Sequence, residues 1–79
     1  MTLDLLPVGK GARIVAVDWS RLANGEARRL QALGLEEGAK VEVSHRGVFG
    51  GRDPLAVMIG RMSVAIRRAH AAAMQVEVL

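Results

Sequence analysis

Short apolar stretches, several of them alternating with polar residues, recur along this chain. In residues 40–46, Val41 and Val43 fall on one face of an extended chain and Glu42 on the other, the period of a half-exposed β-strand. Glycine, proline or polar residues bound each such stretch. The pattern predicts five strands, over residues 12–18, 40–46, 55–59, 62–67 and 75–78.

For two of these strands the sequence also predicts which faces are buried. In the first strand, Ile14 and Val15 are apolar and point in opposite directions, so we expect both faces to be covered over part of its length. In the strand at 40–46, strict alternation places His45 on the same face as Val43, at the rim of the core.

A short helix is predicted between the first two strands, over about residues 25–33. Asn24 is a favourable N-cap, and Glu26 suits the positive end of the helix dipole. A helix this short is marginal alone, so it must be held by packing on the sheet. The apolar residues that share its inner face are Ala27, Leu30 and Leu33.

Glycine marks the end of this helix and the turn that follows it. Gly34 lies where a helix ends in a residue of positive φ, and Leu35 is placed to fold back onto Leu30, as in a Schellman motif. Gly38 marks a turn immediately before the second strand. These residues predict a tight corner between helix and strand.

The order of the elements predicts a mainly β fold in one domain spanning residues 1–79. Gly60-Arg61 has the glycine-first composition of a two-residue type II′ hairpin, and residues 68–73 suit a single helical turn. Five short strands and one short helix favour a small five-stranded barrel over a flat sheet with a helix on one face, because curling protects the sheet edges.

Composition excludes several classes of protein. The 79 residues carry a net charge of +3, are 51% hydrophobic and contain no cysteine, which argues against disorder and against disulfide or zinc-thiolate stabilisation. No apolar run approaches the ~20 residues that span a bilayer, and the first residues lack the features of a signal peptide. We therefore expect a cytoplasmic protein.

No catalytic, cofactor or metal constellation is apparent. The two histidines, His45 and His70, are far apart and have no clustered carboxylate; with Asp53 and Glu77 they are the only candidate ligands we identify, and their spacing predicts no tight iron or zinc site. A phosphate-binding GxxxxGK[ST] loop is absent, so we expect no GTP hydrolysis.

Nucleic-acid binding is predicted to be weak and non-specific. Aromatic residues make up 3% of the chain, too few for base stacking by a small barrel. Without stacking, binding would depend on contacts between the phosphate backbone and four arginines, Arg28, Arg29, Arg67 and Arg68. The simpler interpretation of these arginines is a solvated face of the protein.

A protein partner is the better-supported expectation. Phe49 lies in the glycine-rich loop 47–54, and an exposed aromatic beside arginine is a common composition of binding hot spots. We predict a partner surface made of this loop and one helix face, with the residues Phe49, Arg52, Arg28 and Gln31. The alternative is that Phe49 and Trp19 each cover an end of the barrel.

The corner between helix and strand carries a family resemblance. The positions Arg29, Leu30, Leu33, Gly34, Leu35, Gly38, Val41 and Val43 fit the pattern RL-x-x-LG-[LM]-x-x-G-x-x-[VI]-x-[VI], which resembles the FeoA family. The opening LDLLPVG, the hairpin entry Asp53-Pro54, the strand SVAIRR and the closing QVEV resemble the family in the same order. Arg52 departs from it, because glycine more often precedes that aspartate.

The resemblance implies an SH3-like barrel that serves as a non-enzymatic accessory protein of bacterial ferrous iron uptake. It implies contact with the cytosolic part of the membrane GTPase transporter FeoB, and hence a location in the cytoplasm or at the inner face of the membrane through that partner. Weak self-association is left open. The alternatives are a small basic barrel that binds nucleic acid, and a detached SH3-like domain of an iron-dependent repressor, for whose DNA-binding helices this chain has no room.

Overall fold

The computed structural model describes residues 1–46 and 53–79, and five short strands dominate it. The strands and helices, in chain order, are β1 (Gly11–Val17), α1 (Asn24–Ala32), β2 (Lys40–Arg46), β3 (Leu55–Ile59), β4 (Met62–Ile66), α2 (Arg68–Ala71) and β5 (Met74–Val78). Two 3-10 turns, Leu3–Leu5 and Trp19–Arg21, precede β1 and α1. The prediction of a mainly β fold with one short helix is confirmed, and each strand boundary lies within one residue of its predicted position.

The strands form one antiparallel sheet in the order β4-β3-β2-β1-β5. The hairpin between β3 and β4 pairs Ile59 with Met62 across the two residues Gly60 and Arg61. Gly60 has a φ of +60°, and no residue other than glycine has a positive φ in the part of the chain that the structure describes. This combination excludes a type I′ turn and fits the predicted type II′ turn.

Every strand contributes side chains to one core. The eight residues predicted to be buried are at most 7% exposed: Leu30, Leu35, Val41, Val43, Val57, Val64, Ile66 and Val76. Leu3 and Leu6, from the N-terminal turn, are fully buried as well, although no periodicity in the sequence predicted this. The N-terminal turn is therefore part of the core.

Helix α1 begins at Asn24, the residue predicted to cap it, and so one residue earlier than predicted. Asn24 is the first helical residue, and Ala23 occupies the N-cap position with no side-chain hydrogen bond. The Ala23 carbonyl accepts the Ala27 N–H at 2.8 Å. The prediction of an Asn24 cap is wrong, because Ala23 already has the extended backbone conformation that a cap position requires.

The glycine end of α1 has the predicted Schellman geometry. Gly34 has a φ of +94°, its N–H donates to the Gln31 carbonyl at 3.0 Å, and the Leu35 N–H donates to the Leu30 carbonyl at 2.9 Å. Both leucines are fully buried, which supplies the hydrophobic contact that accompanies this motif. Gly38, also with a φ of +94°, then turns the chain into β2.

Two β-bulges change the faces predicted for single residues. The register of β2 against β3 shifts between Val43 and His45, so the alternation breaks and His45 is exposed, not at the core rim as predicted. The register of β1 against β5 shifts between Ile14 and Ala16. Val15 is 42% exposed, so the prediction that β1 is covered on both faces is also wrong there.

Candidate interaction surface

The start of α2 separates two surface grooves. Arg67, in extended conformation, precedes the helix, and Arg68 is its first helical residue. Because the backbone changes conformation between these two residues, their side chains lie on different sides of the helix start. Arg67 lines a groove between α1 and α2, and Arg68 lines a groove beside the N-terminal turn.

The first groove, here called the α1–α2 groove, has a volume of about 400 Å³. Ile66, which is 1% exposed, contributes its buried base at the end of β4. Helix α1 supplies one wall and α2 the other. The residues that line the groove are Glu26, Arg29, Asp53, Pro54, Ala65, Ile66, Arg67 and His70.

Two charged side chains of this groove, Glu26 and Arg29, form an ion pair. The Glu26 carboxylate lies 2.9 Å from the Arg29 guanidinium, one helical turn further along α1. The same Glu26 oxygen lies 3.5 Å from Nδ1 of His70, which is longer than a good hydrogen bond. His70 Nδ1 is buried and has no hydrogen-bond partner among residues 1–46 and 53–79.

Asp53, which lies just before β3, forms a side-chain hydrogen bond to the start of α2. Its carboxylate accepts a hydrogen bond from the backbone N–H of Arg68, an N–H at the helix terminus that has no partner within the helix. The sequence analysis placed Asp53 and Pro54 at a hairpin entry and did not predict this contact. The interaction fixes the position of Arg68 relative to the groove.

The second groove, here called the N-terminal groove, has a volume of about 390 Å³. Arg46, at the end of β2, donates hydrogen bonds to the backbone carbonyls of Asp4 and Leu6 and so holds the N-terminal turn in place. Leu5 projects beside it and is 64% exposed. The groove is lined by Asp4, Leu5, Pro7, Arg46 and Arg68.

The structure describes two of the four residues predicted to contact a partner. Arg28 and Gln31 are exposed on α1, as a contact surface requires. Phe49 and Arg52 lie outside the described residues. Trp19 is partly buried against the core, which agrees with the alternative in which it covers one end of the barrel.

The candidate metal ligands are spread over the molecule. His45 and Glu77 are exposed on strands β2 and β5, whereas His70 and Asp53 both line the α1–α2 groove. Within residues 1–46 and 53–79, no group of three or more His, Cys, Asp or Glu side chains is arranged to hold a metal ion. In the same residues, no helix has the length and apolar character to cross a membrane.

Neither groove was predicted from the sequence. Each brings together residues more than 35 positions apart, such as Glu26 with His70 and Asp4 with Arg46. The only local sign was the doublet Arg67-Arg68, which by itself is equally typical of a solvated surface. Paired charges, open arginines and exposed apolar residues lie side by side around the two grooves.

Comparison with known proteins identifies the family. The model of the FeoA domain matches residues 1–78. The FeoA of Stenotrophomonas maltophilia, solved in complex with zinc and described as an SH3-domain protein with a suggested role as a ferrous iron transport activating factor, is 34% identical. The match covers 98% of this chain and 89% of that one, with a TM-score of 0.80.

A second solved structure supports the same assignment. The FeoA protein of Chlorobium tepidum is 33% identical with a TM-score of 0.84, over 100% of this chain and 70% of that one. A search of curated proteins gives no match. The predicted SH3-like fold is confirmed, and the chain belongs to the FeoA family.

Proposed function

We propose that this protein is a non-enzymatic accessory protein of bacterial ferrous iron uptake that acts by contact with the cytosolic part of the membrane GTPase transporter FeoB. The observation that carries the proposal is the match of the FeoA domain to residues 1–78. The role suggested for the Stenotrophomonas maltophilia relative supports it, because the shared fold covers 98% of this chain and 89% of that one.

The surface of the molecule is consistent with a role in binding. The described residues of the α1–α2 groove include charged and apolar side chains but no nucleophile paired with a base, the arrangement that covalent catalysis needs. We propose that the protein acts without catalysing a reaction. We also propose, from the family match, that it works in the cytoplasm and at the inner face of the membrane when bound to its partner.

We further propose that the transporter contact includes the loop residues Phe49 and Arg52 together with Arg28 and Gln31 of α1. Exposure of Arg28 and Gln31 supports this assignment. Binding residues are often found on loops that a rigid scaffold holds in place, and the predicted loop connects two paired strands, β2 and β3.

Calorimetric titration of the purified cytosolic region of FeoB with this protein tests the proposal. We expect saturable binding with one molecule of the protein per transporter region. A GTPase assay of the protein alone accompanies the titration, with no turnover expected. Absence of binding at micromolar to millimolar concentrations of both proteins would contradict the proposed function.

A further inference from the structure

We propose that the ridge formed by Arg67 and Arg68 binds an acidic segment of the partner protein, with one carboxylate in each of the two grooves. The inference rests on the proposed function and adds the chemistry of the partner segment and its place on this molecule.

Every carboxylate around the two grooves is already engaged. Glu26 is paired with Arg29 at 2.9 Å, Asp53 accepts the backbone N–H of Arg68, and Asp4 accepts a hydrogen bond from the Thr2 hydroxyl. Of these three, only Glu26 is compensated by a cation of the described residues; Asp53 and Asp4 keep their negative charge and have a hydrogen-bond acceptor site occupied within the protein.

The guanidinium groups of the ridge, by contrast, have no partner among the described residues. Arg67 and Arg68 are both exposed, and neither side chain has a hydrogen bond or an ion pair with any other described residue. A guanidinium has five N–H donors in a planar fork that matches a carboxylate. The unused hydrogen-bonding capacity of the two arginines is therefore that of donors with positive charge, which is complementary to an acidic segment.

Apolar surface lies next to both arginines. Leu5, 64% exposed, and Pro7 line the N-terminal groove beside Arg68, and Pro54 lines the α1–α2 groove beside Arg67. Volumes of about 400 and 390 Å³ are at the lower end of the range of ~300–1,000 Å³ typical of ligand sites. A peptide that alternates acidic and apolar side chains fits both features.

A nucleic acid fits the same surface less well. Glu26, Asp53 and Asp4 line the grooves and would repel a continuous phosphate backbone. Among residues 1–46 and 53–79 no aromatic side chain lines either groove, so the described part of the chain offers no base stacking there. A peptide can place its carboxylates at the two arginines alone and avoid these acidic positions.

Charge reversal on the ridge provides the test. The dissociation constant of the purified cytosolic region of FeoB is measured for the wild type and for Arg67→Glu, Arg68→Glu and Arg61→Glu. Arg61 is the matched control because it lies in the hairpin at the opposite end of β4 and undergoes the same change of charge. Thermal melts establish that all variants are folded.

We expect Arg67→Glu and Arg68→Glu each to raise the dissociation constant about tenfold or more, and Arg61→Glu to change it less than about twofold. Wild-type affinity in both ridge variants would overturn the surface assignment and leave the proposed function standing. Absence of binding by the wild type would overturn both. Tighter, ridge-dependent binding of a short single-stranded oligonucleotide than of the transporter region would overturn the acidic-peptide assignment in favour of nucleic acid.

Discussion

Replacing Gly34 by alanine tests the link between sequence and fold at the corner after α1. Gly34 has a φ of +94°, and a Cβ atom built there has its nearest neighbour, Cγ2 of Ile59, at 3.8 Å, an ordinary contact distance. The new methyl group therefore causes no clash, and the cost is that of a left-handed backbone alone, about 1–2 kcal/mol.

Gly25 provides a matched control for the same chemical change. It lies in the first turn of α1 without a positive φ, and a Cβ atom there meets nothing within 4 Å. Alanine at this position restricts the unfolded chain without strain, so Gly25→Ala should stabilise the protein by about 0.4–1 kcal/mol. The two substitutions are thus predicted to have effects of opposite sign.

Urea unfolding followed by circular dichroism measures both effects. In a domain of this size each kcal/mol corresponds to a shift in Tm of about 4–8 °C, so thermal melts resolve the difference as well. Gly34→Val should cost more than Gly34→Ala, because a β-branched residue is especially unfavourable at positive φ. A Gly34→Ala protein as stable as the wild type would refute the assignment of this glycine as the helix terminator.

Three further substitutions address other contacts. Arg46→Met should destabilise the protein by about 1–3 kcal/mol in urea unfolding, because the carbonyls of Asp4 and Leu6 lose a charged donor; unchanged stability would contradict the anchoring role. Asp53→Ala should cost about 0.5–2 kcal/mol by removing the acceptor for the Arg68 N–H, whereas Asp53→Asn, which keeps an acceptor oxygen, should cost less in the same melts. Phe49→Ala should weaken FeoB binding by about 1–3 kcal/mol in calorimetry with little change in Tm; loss of stability with intact binding would instead indicate that Phe49 covers the barrel.

Local sequence patterns predicted most of the fold. Strand positions follow the local alternation of apolar and polar residues, and the hairpin at Gly60-Arg61 and the end of α1 at Gly34 depend on residues close in sequence. The wrong predictions for His45 and Asn24 also have physical reasons. Strict alternation cannot anticipate a bulge, so His45 was placed on the wrong face, and the extended backbone of Ala23 displaced Asn24 from the cap.

The candidate surface was much less predictable. The pairing of Glu26 with Arg29 is a contact between adjacent helical turns and is readable from spacing, but the approach of His70 to the same carboxylate depends on how α2 packs beside α1. The burial of Leu3 and Leu6 likewise depends on Arg46, forty or more positions away, holding the N-terminal turn. Such contacts arise from tertiary structure and leave no periodic signal in the sequence.

Uptake of ferrous iron by cells tests the central claim most directly. Radioactive Fe(II) uptake is measured under anaerobic conditions in cells that lack the gene for this protein but retain FeoB, with and without a plasmid copy of the wild type. The account predicts that uptake falls in the absence of the protein and returns with the wild-type copy. Uptake that is the same with and without the protein, at equal FeoB levels, would contradict its assignment as an accessory of ferrous iron transport.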